Sequence, residues 1–445
     1  MNKTIIIPKE IVTVNKKDQI LRNYAVEIID NKITNLFPVK ELTPEDEKYV
    51  VKYENLTLIP GFVQTHIHLC QTMFRGLADD LELLEWLSQR IFLYENAHNF
   101  NSLKYSAQLG IYELQTSGTT TLLDMGTLNY MEAVFEELIY SGMRGLSGKC
   151  MIDENDLVPK FKETKERSLN YSNQLAQEYH NTKTDRVKYA YAPRFALSCS
   201  YDLLKETAEL VKDLPGSLYH THSSENRDEI AAVRKKYGKE NVDFFDSIGA
   251  LNDKTVLAHC IHLNDHEVDL LKQTGTRVSH CPSSNLKLGS GIANIPRYLN
   301  EGVHVSLGAD GAPCNNNLSA FVEMRLAALI QKPIHGSTVM DAKTTFKLAT
   351  IEGAKALHLE NEVGSIEVGK KADLVLLDLN VPDKCLLDND ENIYSDIVYS
   401  SSKDSVKHVM IDGRWVVKNG ESIIYDKSEM INNAKYELSE LLKRI

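Results

Sequence analysis

The chain of 445 residues has few cysteines, no long basic run and no long apolar run, and each absence excludes a class of protein. Its seven cysteines form an odd, scattered set without C-x-x-C spacing, which argues against a disulfide framework or a structural zinc cluster. The formal net charge is -12, so neither nucleic acid nor an anionic membrane surface is expected as the main partner. Residues 1–14 hold no apolar stretch long enough for a signal peptide, and no segment approaches a membrane span. These absences predict a cytoplasmic protein.

Length and composition indicate a large globular protein. Hydrophobic residues make up 42% of the chain and charged residues 25%, which suits a folded domain with a sizeable core. Between about residues 55 and 360, short apolar strands alternate with amphipathic helices, and eight strands can be placed. These strands end near His68, Asp124, Met151, Pro193, His222, His259, Cys281 and Asp310. Eight strand–helix units predict an α/β fold, a (β/α)8 TIM-type barrel.

The two ends of the chain have a different pattern, in which short strands alternate with turns. It runs from Ile5 to Val51 and returns in residues 372–377 and 406–417. The simplest assembly folds both ends into one small β-sandwich domain beside the barrel. The predicted division is 1–58 for the first part of the sandwich, 59–362 for a metal-dependent barrel, 363–425 for the second part and 426–445 for a closing helix.

An H-x-H pair, His66 and His68, follows the apolar run that leads into the first predicted barrel strand. Side chains two apart on a strand project to the same side, so the two imidazoles can grip one ion. His222, His259 and Asp310 close the predicted fifth, sixth and eighth strands. Barrel enzymes carry their sites at the C-terminal ends of the strands. We therefore expect these metal-competent side chains to surround one mouth of the barrel.

Three imidazoles and one carboxylate suit a single Zn²⁺ ion, with Fe²⁺ as the alternative. Glu225 lies three residues past His222, where a carboxylate can carry a proton from water to a ring nitrogen of a substrate. Asp310 could hold the attacking water and pass a proton to the leaving group. His259 could be a ligand or a hydrogen-bond donor, and we favour the donor. No lysine ends the fourth strand, so a two-metal centre is not expected.

Two further histidines lie close to this set in the sequence. His220 stands two residues before His222 and shares its strand face, but it lies deeper in the barrel, and we interpret it as a buried packing residue. His280 closes the seventh strand, and whether it supports the site or only packs is left open.

The order H-x-H, His with a Glu three residues later, His and Asp resembles the mononuclear amidohydrolase superfamily. Within it, residues 60–68, 75–80 and 84–87 are similar to the methylthioadenosine/S-adenosylhomocysteine and 5'-deoxyadenosine deaminases and the related s-triazine hydrolases. Residues 280–286, 308–316 and 364–373 continue this similarity. The resemblance implies the barrel fold and one divalent metal. It implies the metal ligands His66, His68, His222 and Asp310, and the catalytic residues Glu225 and His259.

The resemblance also implies residues that bind the substrate. Glu95 stands where methylthioadenosine deaminases hold a carboxylate for the ribose hydroxyls, and Trp86 stands where they place an aromatic near the sugar. Arg194 and Phe195 stand where those enzymes usually have a histidine, and together with Gln71 they resemble guanine deaminase. In that enzyme the arginine and glutamine read the purine edge, and Phe195 could stack on the base. Residues 310–317 favour the deoxyadenosine deaminases.

We therefore expect a metal-dependent aminohydrolase that deaminates an adenine nucleoside at C6, giving the inosine analogue and ammonia. The expected substrates are 5'-deoxyadenosine, 5'-methylthioadenosine or S-adenosylhomocysteine. Guanine deaminase is the first alternative, and an s-triazine amino- or chlorohydrolase is the second. A catalytically inactive barrel used for binding is disfavoured by the intact metal and acid–base set. The expected partners are a small-molecule substrate and further copies of the chain in a homo-oligomer.

Overall fold

The computed structural model describes residues 2–387 and 389–445, which form two sheets with helices around one of them. The strands are β1 (Lys3–Val12), β2 (Ile20–Arg22), β3 (Tyr24–Ile29), β4 (Lys32–Pro38), β5 (Val50–Pro60), β6 (Phe62–His68), β7 (Thr119–Met125), β8 (Arg144–Gly148), β9 (Cys150–Met151), β10 (Val187–Pro193), β11 (Leu218–Ser223), β12 (Thr255–His259), β13 (Arg277–His280), β14 (His304–Leu307), β15 (Asp310–Gly311), β16 (Leu374–Leu377), β17 (Val406–Ile411), β18 (Arg414–Lys418) and β19 (Glu421–Ser422).

The α-helices are α1 (Leu83–Trp86), α2 (Phe92–Asn96), α3 (Phe100–Thr116), α4 (Glu132–Ser141), α5 (Lys165–Tyr179), α6 (Tyr201–Asp213), α7 (Arg227–Tyr237), α8 (Asn241–Ser247), α9 (Asp265–Thr274), α10 (Pro282–Lys287), α11 (Ile295–Glu301), α12 (Ala312–Asn315), α13 (Ala320–His335), α14 (Ala342–Leu348), α15 (Ile351–Ala356), α16 (Asp390–Ser395) and α17 (Lys427–Leu442). The π-helical turns are Leu87–Ile91 and Asp396–Ser400, and the 3-10 turns are Val39–Glu41, Glu47–Tyr49, Leu69–Phe74 and Lys403–Ser405. Among the residues that the structure describes, none of these helices combines the length and apolar character that crossing a bilayer requires.

The larger sheet is parallel throughout and closes on itself. Its order is β14-β13-β12-β11-β10-β8-β7-β6-β15, and β9 continues β8 alongside β10. Only Gly308 and Ala309 separate β14 from β15, so the last strand pairs with β13 at its start and with β6 at its end. A Cβ atom on Gly308 would lie 2.8 Å from the backbone nitrogen and oxygen of His66, so only glycine permits this close approach. The predicted (β/α)8 barrel is confirmed.

The barrel strands are buried on both faces because helices cover their outer side. All seven residues of β6 are buried, as are all seven of β7. Helices α7 and α9 follow the barrel strands β11 and β12, and their N-cap residues are Asn226 and Asn264. Each asparagine forms a capping box with the glutamate three residues later, Glu229 or Glu267. Local sequence therefore sets where the chain turns from the mouth of the barrel into the outer ring of helices.

The second sheet joins both ends of the chain, in the order β19-β18-β17-β16-β5-β1-β3-β4, with β2 paired to β1. It fits the predicted small β domain. Arg144 in β8 links it to the barrel through a buried ion pair, with its Nε 2.9 Å from Asp373 Oδ2. The chain ends in α17, which packs on α3. The division into 1–58, 59–362, 363–425 and 426–445 stays a prediction.

Candidate active site

The side chains predicted from the strand ends meet at the mouth of the barrel. One ligand atom from each of His66, His222, His259 and Asp310 lies within 4.8 Å of the others. The Nε2 atom of His68 lies 3.3 Å from His222 Nε2 and 3.3 Å from Asp310 Oδ1. The barrel topology thus brings together five side chains that are up to 244 residues apart (310 − 66).

Backbone carbonyl groups fix two of the imidazoles in one tautomer. His68 donates from Nδ1 to the carbonyl oxygen of Met125 over 2.8 Å, and His222 donates from Nδ1 to the carbonyl oxygen of Arg194 over 2.7 Å. Because each Nδ1 carries a proton in these bonds, each Nε2 presents a lone pair to the cluster. This is the arrangement that metal-binding histidines adopt in proteins.

The protonation states of these groups fit a divalent ion. Burial lowers the pKa of His66, and it lowers the pKa of both His68 and His222 well below the ordinary value. Burial alone would raise the pKa of Asp310, but the neighbouring histidines outweigh it and hold this pKa well below its usual range. Neutral imidazoles and an ionised carboxylate are what a bound metal requires. The buried Nε2 atom of His66 has no hydrogen-bond partner among the described residues and lies 3.2 Å from Asp310 Oδ1.

His259 faces both carboxylates of the site. Its Nδ1 donates to Asn285 Oδ1 over 2.8 Å, and its Nε2 lies 3.5 Å from Glu225 Oε2 and 3.8 Å from Asp310 Oδ2. Burial lowers the pKa of His259, but Glu225 and Asp310 raise it more, and the net shift is upward. His259 and Asp310 both hold positive φ angles, 73° and 62°. Such backbone strain is concentrated at functional sites.

Glu225 is held by the first turn of the helix that follows it. Its backbone N–H donates to Glu229 Oε2 over 2.8 Å, and the N–H of Asn226 donates to the same oxygen over 3.3 Å. Burial raises the pKa of the Glu225 carboxyl to about 7, although His259 opposes the shift. A carboxyl with a near-neutral pKa can both accept and donate a proton at physiological pH.

A cavity opens beside these groups, and His222, Glu225, His259 and Asp310 all line it. Trp86, at the end of α1, and Phe195 both line it. A π-helical turn, Leu87–Ile91, follows Trp86 directly, and such turns are frequent at functional sites. The rest of the apolar wall comes from three leucines: Leu83, Leu87 and Leu288.

Glu95, Arg194 and Gln71 form a buried cluster beside the cavity. Arg194 donates from Nη1 to both carboxylate oxygens of Glu95, over 3.0 and 3.1 Å, and Gln71 donates from Nε2 to Glu95 Oε1 over 2.9 Å. The guanidinium of Arg194 also lies 4.9 Å from the ring centroid of Phe92. Of the described residues, those that line the cavity include Arg194 but neither Glu95 nor Gln71. Arg194 therefore faces the cavity, and Glu95 lies behind it with its carboxylate bound to Arg194 and Gln71.

Sequence reasoning did not assign roles to two residues that support the site. Glu229 holds the backbone of Glu225, and the Asn-x-x-Glu capping pattern could have revealed it. Asn285 accepts the hydrogen bond from His259, but it lies 26 residues further along the chain. No local pattern predicts that contact.

Comparison with known proteins identifies the family. The model described as "Amidohydrolase family" matches residues 57–416, which is most of the chain. The chain belongs to the amidohydrolase family. It is 38% identical over 422 residues to the 5'-deoxyadenosine deaminase of Methanothermobacter thermautotrophicus, covering 95% of each chain. It is 36% identical to the 5-methylthioadenosine/S-adenosylhomocysteine deaminase of Thermodesulfovibrio yellowstonii, covering 98% of each chain.

The fold of this amidohydrolase family member is also found in solved structures. An adenosine deaminase from Xanthomonas campestris with bound zinc superimposes with a TM-score of 0.90. The two proteins share 27% sequence identity, and the match covers 99% of this chain and 98% of the other. The predicted membership of the amidohydrolase superfamily, in the group that holds these deaminases, is confirmed.

Proposed function

We propose that the protein deaminates an adenine nucleoside at C6, giving the inosine analogue and ammonia. The expected substrates are 5'-deoxyadenosine, 5'-methylthioadenosine and S-adenosylhomocysteine. The observation that carries the proposal is that a histidine–aspartate cluster and Glu225 meet at the cavity. The names of the two relatives with 38% and 36% identity support the choice of an adenine nucleoside.

One divalent ion belongs to this proposal, with Zn²⁺ as the first choice and Fe²⁺ as the alternative. His66, His68, His222 and Asp310 would hold it, since their ligand atoms converge and their protonation states suit a cation. When bound, the ion supplies a water whose pKa falls from 15.7 to roughly 7.

The residues of the chain then move the protons. Glu225 takes a proton from the attacking water and delivers it to N1 of the purine as the oxygen adds to C6, a role that its pKa of about 7 allows. His259, held through Nδ1 by Asn285, stabilises the tetrahedral centre with Nε2. Asp310 helps to pass the second proton to the amino group, which leaves as ammonia. The three leucines and Trp86 give the cavity its apolar lining.

We assign the two aromatic side chains of the cavity to nucleoside binding. Phe195 would stack on the base, Trp86 would lie near the sugar, and Arg194 would donate to an acceptor on the purine edge. Glu95 could hold the ribose hydroxyls only if its carboxylate were released from Arg194 and Gln71.

A second candidate is guanine deamination, and the same cluster favours it. Arg194 and Phe195 reach the cavity, whereas Glu95, the carboxylate expected for ribose, lies behind Arg194. An arginine held in this way suits a free base with a carbonyl oxygen.

The proposal also covers location and assembly. The six buried cysteines are all free thiols, which suits the reducing cytoplasm. We expect a homo-oligomer that acts on small molecules rather than on nucleic acid, and light scattering coupled to size-exclusion chromatography measures the assembly.

The experiment that tests the proposal is ammonia release from a substrate panel. The zinc-loaded protein is assayed with 5'-deoxyadenosine, methylthioadenosine, S-adenosylhomocysteine, adenosine, guanine and an amino-s-triazine, and the Glu225→Gln variant serves as the control. The three modified nucleosides should be turned over with the highest kcat/KM. Preferred turnover of guanine would transfer the proposal to the second candidate, and no ammonia from any compound would refute both.

A further inference from the structure

His220 makes a direct contact with the candidate metal site. It lies in β11, two residues before His222, and its side chain is fully buried. Its Nε2 atom lies 2.8 Å from Nδ1 of His66, and the two rings meet edge to face with their centroids 4.9 Å apart. This is the only hydrogen bond that the described structure gives the His220 ring. The interpretation of His220 as a packing residue therefore misses a polar contact.

The proton in this contact belongs to His66. For His66 to present a lone pair from Nε2 to the metal site, its Nδ1 must carry the proton. The His66 Nδ1–H then donates to His220 Nε2, as the Nδ1–H groups of His68 and His222 donate to backbone carbonyls. His66 differs from the other two imidazoles because its hydrogen-bond acceptor is a side chain.

If His220 served only for packing, an apolar residue would fill this position at a lower cost in desolvation free energy. A buried imidazole loses its hydration, and it is tolerated when a hydrogen bond replaces the lost water contacts. The single bond that His220 makes ends on a residue of the cluster. This contact, and not burial alone, links His220 to the site, since the ring of His280 is equally buried and makes no hydrogen bond among the described residues.

We propose that His220 is a positioning residue that fixes the tautomer and ring orientation of His66, so that Nε2 of His66 points into the metal site. This inference rests on the metal site of the proposed function, but not on the substrate. Partners of this kind are typically worth 10–100-fold in metal affinity in proteins.

The test compares two pairs of variants of the full chain. His220→Leu removes the acceptor and keeps an apolar side chain. His220→Gln can place its Oε1 atom near the position of Nε2, whereas His220→Asn is too short to reach it. His280→Leu is the matched control, since His280 is equally buried and neither of its ring nitrogens has a hydrogen-bond partner among the described residues.

Two readouts are measured without substrate. Zn²⁺ affinity is obtained by competition with a chromophoric chelator, and the visible absorption spectrum of the Co²⁺-loaded protein reports the ligand geometry. We expect His220→Leu and His220→Asn to bind Zn²⁺ about 10–100-fold more weakly and to change the Co²⁺ spectrum. His220→Gln and His280→Leu should stay close to the unmodified protein.

The proposal is wrong if His220→Leu keeps the affinity and the spectrum, or if the glutamine and asparagine variants behave alike. It is also wrong if His280→Leu weakens binding as much as His220→Leu, because the loss would then be a general effect of altering the barrel interior. Should the leucine variant fail to fold, as judged by circular dichroism, the glutamine–asparagine comparison decides. A protein that binds Zn²⁺ but releases no ammonia refutes the proposed function and leaves this test intact.

Discussion

The ion pair between Glu95 and Arg194 allows a quantitative test of how the substrate cavity is built. Arg194 Nη1 lies 3.0 and 3.1 Å from the two carboxylate oxygens, and the two side chains are 0% and 3% exposed for Glu95 and Arg194. Removing one partner of such a pair leaves an unpaired buried charge, which costs about 3–5 kcal/mol. We expect Glu95→Ala to lower the free energy of unfolding by this amount, measured by urea-induced unfolding.

A solvent-exposed pair provides the matched control for this measurement. Lys212 Nζ lies 2.8 Å from Glu209 Oε1, but the two side chains are 52% and 57% exposed. An exposed pair of this kind contributes less than about 1 kcal/mol, so Glu209→Ala should change the unfolding free energy little. An equal loss for Glu95→Ala and Glu209→Ala would refute the assignment of a buried, coupled pair.

The same pair decides what Glu95 does for the substrate. If Glu95 acts through Arg194, Glu95→Gln should lower kcat/KM for 5'-deoxyadenosine when Arg194 is present. In the Arg194→Met variant, the same Glu95→Gln substitution should then have almost no further effect on kcat/KM. If Glu95 instead holds the ribose directly, the two losses add, because the residues then contact different parts of the substrate. Additive losses in this double-mutant cycle would refute the interpretation that Glu95 acts through Arg194. They would support the direct contact with ribose that the family resemblance implied.

Three further outcomes follow from the site. Glu225→Gln should lower kcat by about 10²–10⁴ with little change in KM, measured by steady-state kinetics, since it removes proton transfer and not binding. Prolonged dialysis against a chelator should abolish ammonia release, and added Zn²⁺ or Fe²⁺ should restore it. Burial raises the pKa of Asp124 from 3.8 to about 7, so the folded chain binds more protons between these values and its stability falls as the pH rises through them. Asp124→Asn can still accept from the Leu69 N–H and donate to the Ser147 hydroxyl. Its free energy of unfolding, measured in urea across the same pH range, should therefore lack the decline that Asp124 causes.

The strand ends of the barrel were predictable because hydrophobic runs and their terminal polar residues are local signals. β6 ends at His68, β10 at Pro193 and β12 at His259, as predicted, whereas β13 ends at His280, one residue before the predicted Cys281. The eighth strand is broken at Gly308 and Ala309, because the chain must leave β13 there and close against β6. Barrel closure is a property of the whole sheet and leaves no local periodicity in the sequence.

The candidate ligands were predictable for a related reason. Parallel strands of a barrel bring their C-terminal ends to one face, so residues at those ends converge whatever their separation along the chain. The pairing of Glu95 with Arg194 depends instead on how α2 packs behind the mouth, and the two residues are 99 positions apart. The family resemblance implied both residues at the site, but it did not imply that Arg194 would bind the Glu95 carboxylate.

The two carboxylates of the site illustrate how one cavity divides acid–base work. Glu225 and Asp310 are both buried, and burial acts on each in the same direction, toward a raised pKa. Asp310 lies 3.2 and 3.3 Å from the Nε2 atoms of His66 and His68, and the surrounding histidines reverse the shift, so it stays ionised. Glu225 has the more distant His259 and, to a smaller extent, Arg194 as opposing partners, and its pKa still rises to about 7. Neighbours that push two carboxyl pKa values apart let Glu225 hold a proton near neutral pH, whereas Asp310 stays ionised and can only pass a proton on.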